Sequence, residues 1–156
     1  MEDDPDYHIE LHCRSDRVPI SEETIHRAVR AALSSNACRH ASVSVAIVDD
    51  DDIARLNKSY LGHSGPTDVL SFNLADTSAD GAIDGEVVVS AETAAGLAAL
   101  RNLDPQAELL LYVIHGTLHL LGFDDADAQD AAVMHDKEDA LLVELGYDSV
   151  YRKGQQ

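Results

Sequence analysis

Residues 106–121 constrain this chain more than any other stretch. Leu109, Leu110, Leu111, Val113, Ile114, Leu118, Leu120 and Leu121 fall within it, and at 3.6 residues per turn they cover nearly every side of a helix. Such a helix has no polar face to give to water, so other elements must enclose it and it belongs at the centre of the core. Asp104-Pro105 breaks the chain before it, and Gly122 ends it. Two histidines, His115 and His119, sit inside this apolar run, and two carboxylates follow the glycine, so that residues 115–125 read HGTLHLLGFDD.

The other elements read as smaller pieces around that helix. Tyr7–Cys13 alternates and predicts a first strand with His8 and His12 on its outer face. Ser21 with Glu22 and Glu23 opens an amphipathic helix over 21–35 that turns Ile25, Ala28, Val29, Ala32 and Leu33 inward. Ala41–Val48 is a second strand. Asp49 to Asp52 crowd the start of a helix through 53–57, and they lack the spaced ligands and turn glycine of a calcium loop. Thr67–Phe72 and Gly85–Ser90 are third and fourth strands, separated by a small, acidic segment, 73–82, that reads as a mobile excursion. Ser90 caps a helix of about 91–101, and a last helix over about 127–145 is expected to bury Val133, Met134, Leu141, Leu142 and Leu145 before Gly146. Four strands and five helices in 156 residues make one α+β domain spanning 1–156.

Composition bounds the function. No run of about 18 apolar residues exists to span a bilayer, and Met1–Asp6 is acidic where a secretory leader is basic, so a soluble cytoplasmic protein is expected. Cys13 and Cys38 stand in dissimilar contexts, which argues against a disulfide framework or a cysteine zinc site. The net charge of −18 repels polyanions at long range. It handicaps any nucleic-acid role, DNA is not expected as a partner, and a solvated acidic surface is its ordinary meaning.

Positions i and i+4 share a helix face, so His115 and His119 project side by side and their rings can converge on one ion. A catalytic zinc needs a third protein ligand and an open position for water, and the turn at Gly122 brings Asp124 or Asp125 back toward that face. Gly116 has no side chain, which lets another backbone or the substrate approach the ion. It also stands where the HExxH metalloproteases carry their glutamate base, which excludes that route to proteolysis.

HGTLHLLGFDD, together with Leu56–Tyr60, the segment Pro66-Thr67-Asp68-Val69-Leu70-Ser71-Phe72 and Gly85–Ser90 in that order, resembles the YbeY-type family of bacterial rRNA-maturation endoribonucleases over about residues 40–148. The resemblance implies a mixed four-stranded sheet packed with helices, a Zn²⁺ or other divalent metal on the central helix, and work on ribosomal RNA with the small ribosomal subunit as partner. Its metal ligands carry over directly onto His115 and His119. At the third position the family has histidine where this chain has Asp125, a charged oxygen that makes the ion a weaker Lewis acid and raises the pKa of its water. Asp124 matches the family's own aspartate and is the rival ligand, or else a group orienting an imidazole. Leu61 stands where the family has an arginine and cannot pair with a phosphate, so Arg55, Lys58 or His63 would have to substitute, with His63 the best placed.

The leading expectation is a metal-dependent RNA hydrolase with His115, His119 and Asp125 on the metal and Asp124, Asp68 and His63 as catalytic candidates. Thr67, Asp68 and Ser71 would line the cleft beside the helix, although Asp68 could instead hold its turn through its own backbone. A ribosome-associated maturation factor with a metal site but little nuclease activity is the alternative, and hydrolysis of a small or cationic substrate a third. Which metal is bound, and the oligomeric state, stay open.

Overall fold

The computed structural model describes residues 5–74 and 82–148. Among them the chain runs β1 (Asp6–Cys13), α1 (Glu22–Ser34), β2 (His40–Val48), α2 (Asp50–Leu61), β3 (Val69–Asn73), β4 (Ile83–Ser90), α3 (Ala91–Arg101), α4 (Pro105–Leu120) and α5 (Ala128–Glu144). The strands form one sheet in the order β1-β2-β4-β3, with β1 parallel to β2, β2 parallel to β4 and β3 antiparallel to β4. This is the expected α+β arrangement of a mixed four-stranded sheet and five helices. After β3, the Leu74 N–H donates to the Asp84 carbonyl at 2.8 Å. Residues 75–81 of the expected excursion, and the tail Gly154-Gln155-Gln156, lie outside the described residues.

Alternation along the strands assigns the two faces of the sheet. Val43, Val45, Ile47, Val87 and Val89 point to one face, where α1, α4 and α5 close the main core around Leu109, Leu110, Ile114 and Leu118. Val48 and Val88 point to the other, where α2 lays Ile53 over a smaller cluster that also holds Leu70. As its composition demands, α4 is buried along nearly its whole length.

Two glycines set how closely α4 lies on the sheet. A Cβ on Gly116 would come within 2.5 Å of Val87 Cγ1 and 3.1 Å of Val69 Cγ2, and a Cβ on Gly85 within 2.6 Å of Leu120 Cδ2. Helix and strand each leave out a side chain where the other's fits. The expectation that Gly116 clears a path to the ion is thereby corrected, because what enters its space is the sheet. Gly116→Ala is expected to destabilise the protein by about 1–2 kcal/mol, since overpacking against stiff β-branched valines outweighs the helix propensity gained. Urea unfolding checks this, and an unchanged midpoint would mean that α4 can slide off the sheet freely.

Capping follows the sequence closely. The side chains of Ser21, Ser90, Asp104 and Asp127 accept from Thr24, Thr93, Gln106 and Asp130 N–H at the starts of α1, α3, α4 and α5. The aspartate run begins α2, and Asp50 Oδ1 ties that helix to α3 by accepting from Ser90 Oγ at 2.6 Å and Thr93 Oγ1 at 2.7 Å. One burial expectation fails. Val133 is 48% exposed, because α5 presents Met134, Glu138, Leu141 and Leu142 to the core and Val133 lies off that stripe. Cys38 is buried and Cys13 exposed, both free.

Candidate metal centre

The end of α4 builds the site. Gly122 adopts φ +100°, and the chain closes the helix with Gly122 N–H on the His119 carbonyl at 3.0 Å and Phe123 N–H on the Leu118 carbonyl at 3.1 Å. This paired closure is the Schellman motif, and it reverses the chain over the last turn. Asp125 is thereby carried back to the histidines. Its Oδ2 lies 3.5 Å from His115 Nε2 and its Oδ1 3.7 Å from His119 Nε2, while the two Nε2 atoms stand 3.0 Å apart. The rings meet nearly edge to face, with centroids 4.5 Å apart.

Each imidazole is oriented from behind. The Phe123 carbonyl, 3.0 Å from His119 Nδ1, can only accept, so that nitrogen carries the proton and donates it. Glu138 Oε1 stands 2.6 Å from His115 Nδ1 and likewise accepts. With both Nδ1 atoms protonated, the neutral rings direct bare Nε2 lone pairs at one another and at a carboxylate. Three electron-rich atoms then converge with no donor between them, an arrangement that a shared cation relieves. Ligands at about 2.0–2.1 Å from a tetrahedral zinc lie roughly 3.3 Å from one another, close to the separations found here. The donor set of two imidazoles and one carboxylate therefore fits a divalent transition metal. His115, His119 and Asp125 form a group whose ligating atoms all lie within 4.8 Å of one another.

Electrostatics favour positive charge at the same place. Burial alone would lower the His115 pKa, but the hydrogen bond and charge of Glu138, with Asp125 and Asp68 behind it, hold it above the ordinary imidazole value.

Glu138 was missed by sequence reasoning. It is fully buried, and among the described residues its Oε2 has no hydrogen-bond partner. The available signal was its position between Met134 and Leu142 on the inward stripe of α5, where a carboxylate has to find a partner. The same helix supports the second histidine indirectly, since Lys137 Nζ sits 4.8 Å over the Phe123 ring and donates to Asn36 Oδ1.

The remaining candidates scatter more widely. Asp124 is exposed and its Oδ1 accepts the Asp125 N–H at 2.8 Å, so it shapes the turn that presents Asp125. Asp68 lines a cleft of about 170 Å³ together with His115, and its backbone carbonyl accepts from Ser90 N–H at 2.9 Å. Asp68 thus lines the cleft as expected, while its carbonyl bond runs to β4 and not within its own turn. Thr67 Oγ1 donates to Asp68 Oδ1 at 3.3 Å, and Ser71 is half-buried on β3. His63 is exposed on the turn after α2, a turn pinned by buried Asn57, whose Nδ2 donates to the Gly65 carbonyl at 3.1 Å. Arg55 pairs with Asp52 and borders a groove on the sheet face opposite the histidines, and Lys58 is exposed on α2.

Comparison with known proteins adds an independent line. The family profile described as "Endoribonuclease YbeY" matches residues 10–146. Proteins named Endoribonuclease YbeY from Syntrophus aciditrophicus and Carboxydothermus hydrogenoformans are 35% and 37% identical to this chain. The first match covers 84% of this chain and 86% of that protein, the second 85% and 94%. The solution structure of a Thermotoga maritima protein superposes with a TM-score of 0.62 at 26% identity, covering 89% of this chain and 88% of that one.

Proposed function

This chain belongs to the YbeY endoribonuclease family, and on that premise we propose that it is a metal-dependent endoribonuclease of single-stranded RNA, serving ribosomal RNA maturation at the 16S 3′ end and ribosome quality control. The whole chain acts as one hydrolase domain, in the cytoplasm, with ribosomal RNA and the small ribosomal subunit as partners. The observation that carries the reading is the pair of facing Nε2 atoms 3.0 Å apart, each ring fixed from behind by an acceptor at Nδ1.

His115, His119 and Asp125 hold the metal, zinc being the first choice for two imidazoles and an oxygen. A divalent ion there supplies a water of lowered pKa or polarises a phosphoryl oxygen. The protein's own groups do the rest. Glu138 and the Phe123 carbonyl keep both rings in the tautomer that frees Nε2. Asp124 holds the Asp125 backbone in place. Asp68, which lines the cleft with His115, accepts a proton or a hydroxyl hydrogen from the substrate in this reading. His63, on the turn that runs into Asp68, donates to a flanking phosphate.

Protein stripped of metal and reloaded with one equivalent of Zn²⁺, or of another divalent ion, is expected to cut single-stranded ribosomal RNA fragments and to spare duplex. Gel analysis of end-labelled RNA reads the outcome. Stoichiometric metal without cleavage would instead select the non-catalytic maturation factor, a reading favoured by exposed Leu61 and the charge of −18.

A further inference from the structure

We propose that the cleft beside His115 is a phosphate subsite in which the Arg101 guanidinium binds a backbone phosphate of a single nucleic-acid strand next to the one at the metal centre. The identity of the strand rests on the nuclease reading above, whereas the affinity for phosphate does not.

The cleft, about 170 Å³, brings Arg101 together with Asp68, Glu108, Tyr112 and His115. Arg101 is its one cationic side chain apart from the histidine. The residue ends α3, where Asn102 in the left-handed conformation donates its N–H to the Ala98 carbonyl and Leu103 N–H reaches the same oxygen at 2.8 Å. Its backbone is therefore fixed, while its side chain stays exposed. Among the described residues the Arg101 guanidinium makes no ion pair and no hydrogen bond, although Arg17 and Arg55 both pair with carboxylates. Its charge acts on Glu108 and Tyr112 across the cleft, and a guanidinium without a hydrogen-bonded partner, in a chain with 29 acidic residues, is available for an anion that arrives from outside.

Glu108 borders the same cleft. It is only 2% exposed, its Oε1 accepts from the Tyr112 hydroxyl at 3.1 Å, and among the described residues its Oε2 has no hydrogen-bond partner. Burial raises its pKa, while the Tyr112 hydroxyl and the charge of Arg101 act in the opposite sense. A phosphate oxygen accepts from the guanidinium. Asp68 and Glu108 are the opposing carboxyl groups, which makes Arg101 the group without which an anion would not enter. A purely structural role for Arg101, complementing the α3 dipole, would leave ligand binding untouched.

Fluorescence anisotropy of a short single-stranded RNA with phosphorothioate linkages, titrated with metal-loaded protein at graded salt, tests the subsite. Arg101→Gln is expected to weaken binding about tenfold, the usual worth of one charge-assisted hydrogen-bonding contact. It should also reduce the slope of log K against log salt by about 0.7, the value of one single-strand phosphate contact. Arg101→Lys should keep the slope, and in the cleavage assay Arg101→Gln should raise KM more than it lowers kcat. An unchanged slope and affinity in Arg101→Gln overturns the subsite, as does wild-type protein that binds neither this RNA nor inorganic phosphate. Wild-type protein that binds through Arg101 yet cuts nothing upholds the subsite and refutes only the nuclease reading.

Discussion

His115→Ala is expected to abolish stoichiometric metal uptake and to reduce RNA cleavage more than a hundredfold. Loss of an outer partner to a ligating histidine alone costs about 10–100-fold in metal affinity, and removing the imidazole takes away the ligand itself. The variant also strands Glu138, a fully buried carboxylate whose hydrogen bond is to that ring, and breaking a buried pair in this way costs about 3–5 kcal/mol. Stability loss could then mimic site loss. His119→Ala separates the two, because its Nδ1 partner is a backbone carbonyl and no buried charge is left behind. Elemental analysis should give well under one metal per chain for both variants, with His119→Ala unfolding closer to wild type. The same assay ranks the carboxylates: Asp125→Ala should lose metal, and Asp124→Ala should retain it with lower affinity. A full equivalent of tightly held metal in both histidine variants would refute the centre.

Glu138→Gln should keep the fold and lower metal affinity by about 10–100-fold. The amide oxygen still accepts the His115 Nδ1 proton, so ring and tautomer are preserved, but the negative charge that raises the basicity of Nε2 is gone. Competition with a chelator of known affinity measures the change. Glu138→Leu should cost more, since it also releases the ring orientation. Equal affinity in all three proteins would reduce Glu138 to a packing residue.

Much of the site was legible along the chain. The i, i+4 spacing of His115 and His119 within an all-apolar helix, and the glycine that returns Asp125, are local features whose geometry follows from helical periodicity and one left-handed turn. The caps at Ser21 and Ser90 are local in the same sense. Gly116 was misread because the spacing of a motif does not say which neighbour fills the space a missing side chain leaves, and that neighbour is Val87, from a strand well upstream. Val133 was misread because one turn of α5 decides which residues face α4.

By itself the sequence determined which helix lies at the centre, which two nitrogens face one way from it and where the chain turns back, since each depends on bonds within a few residues. Only the tertiary structure decided that Glu138 stands behind His115, that Phe123 is held by Lys137, and that Arg101 and Glu108 share a cleft with the metal centre. Those pairings join residues brought together by burial of the core, a non-directional force that acts on the whole chain and leaves little mark on the spacing of any one segment.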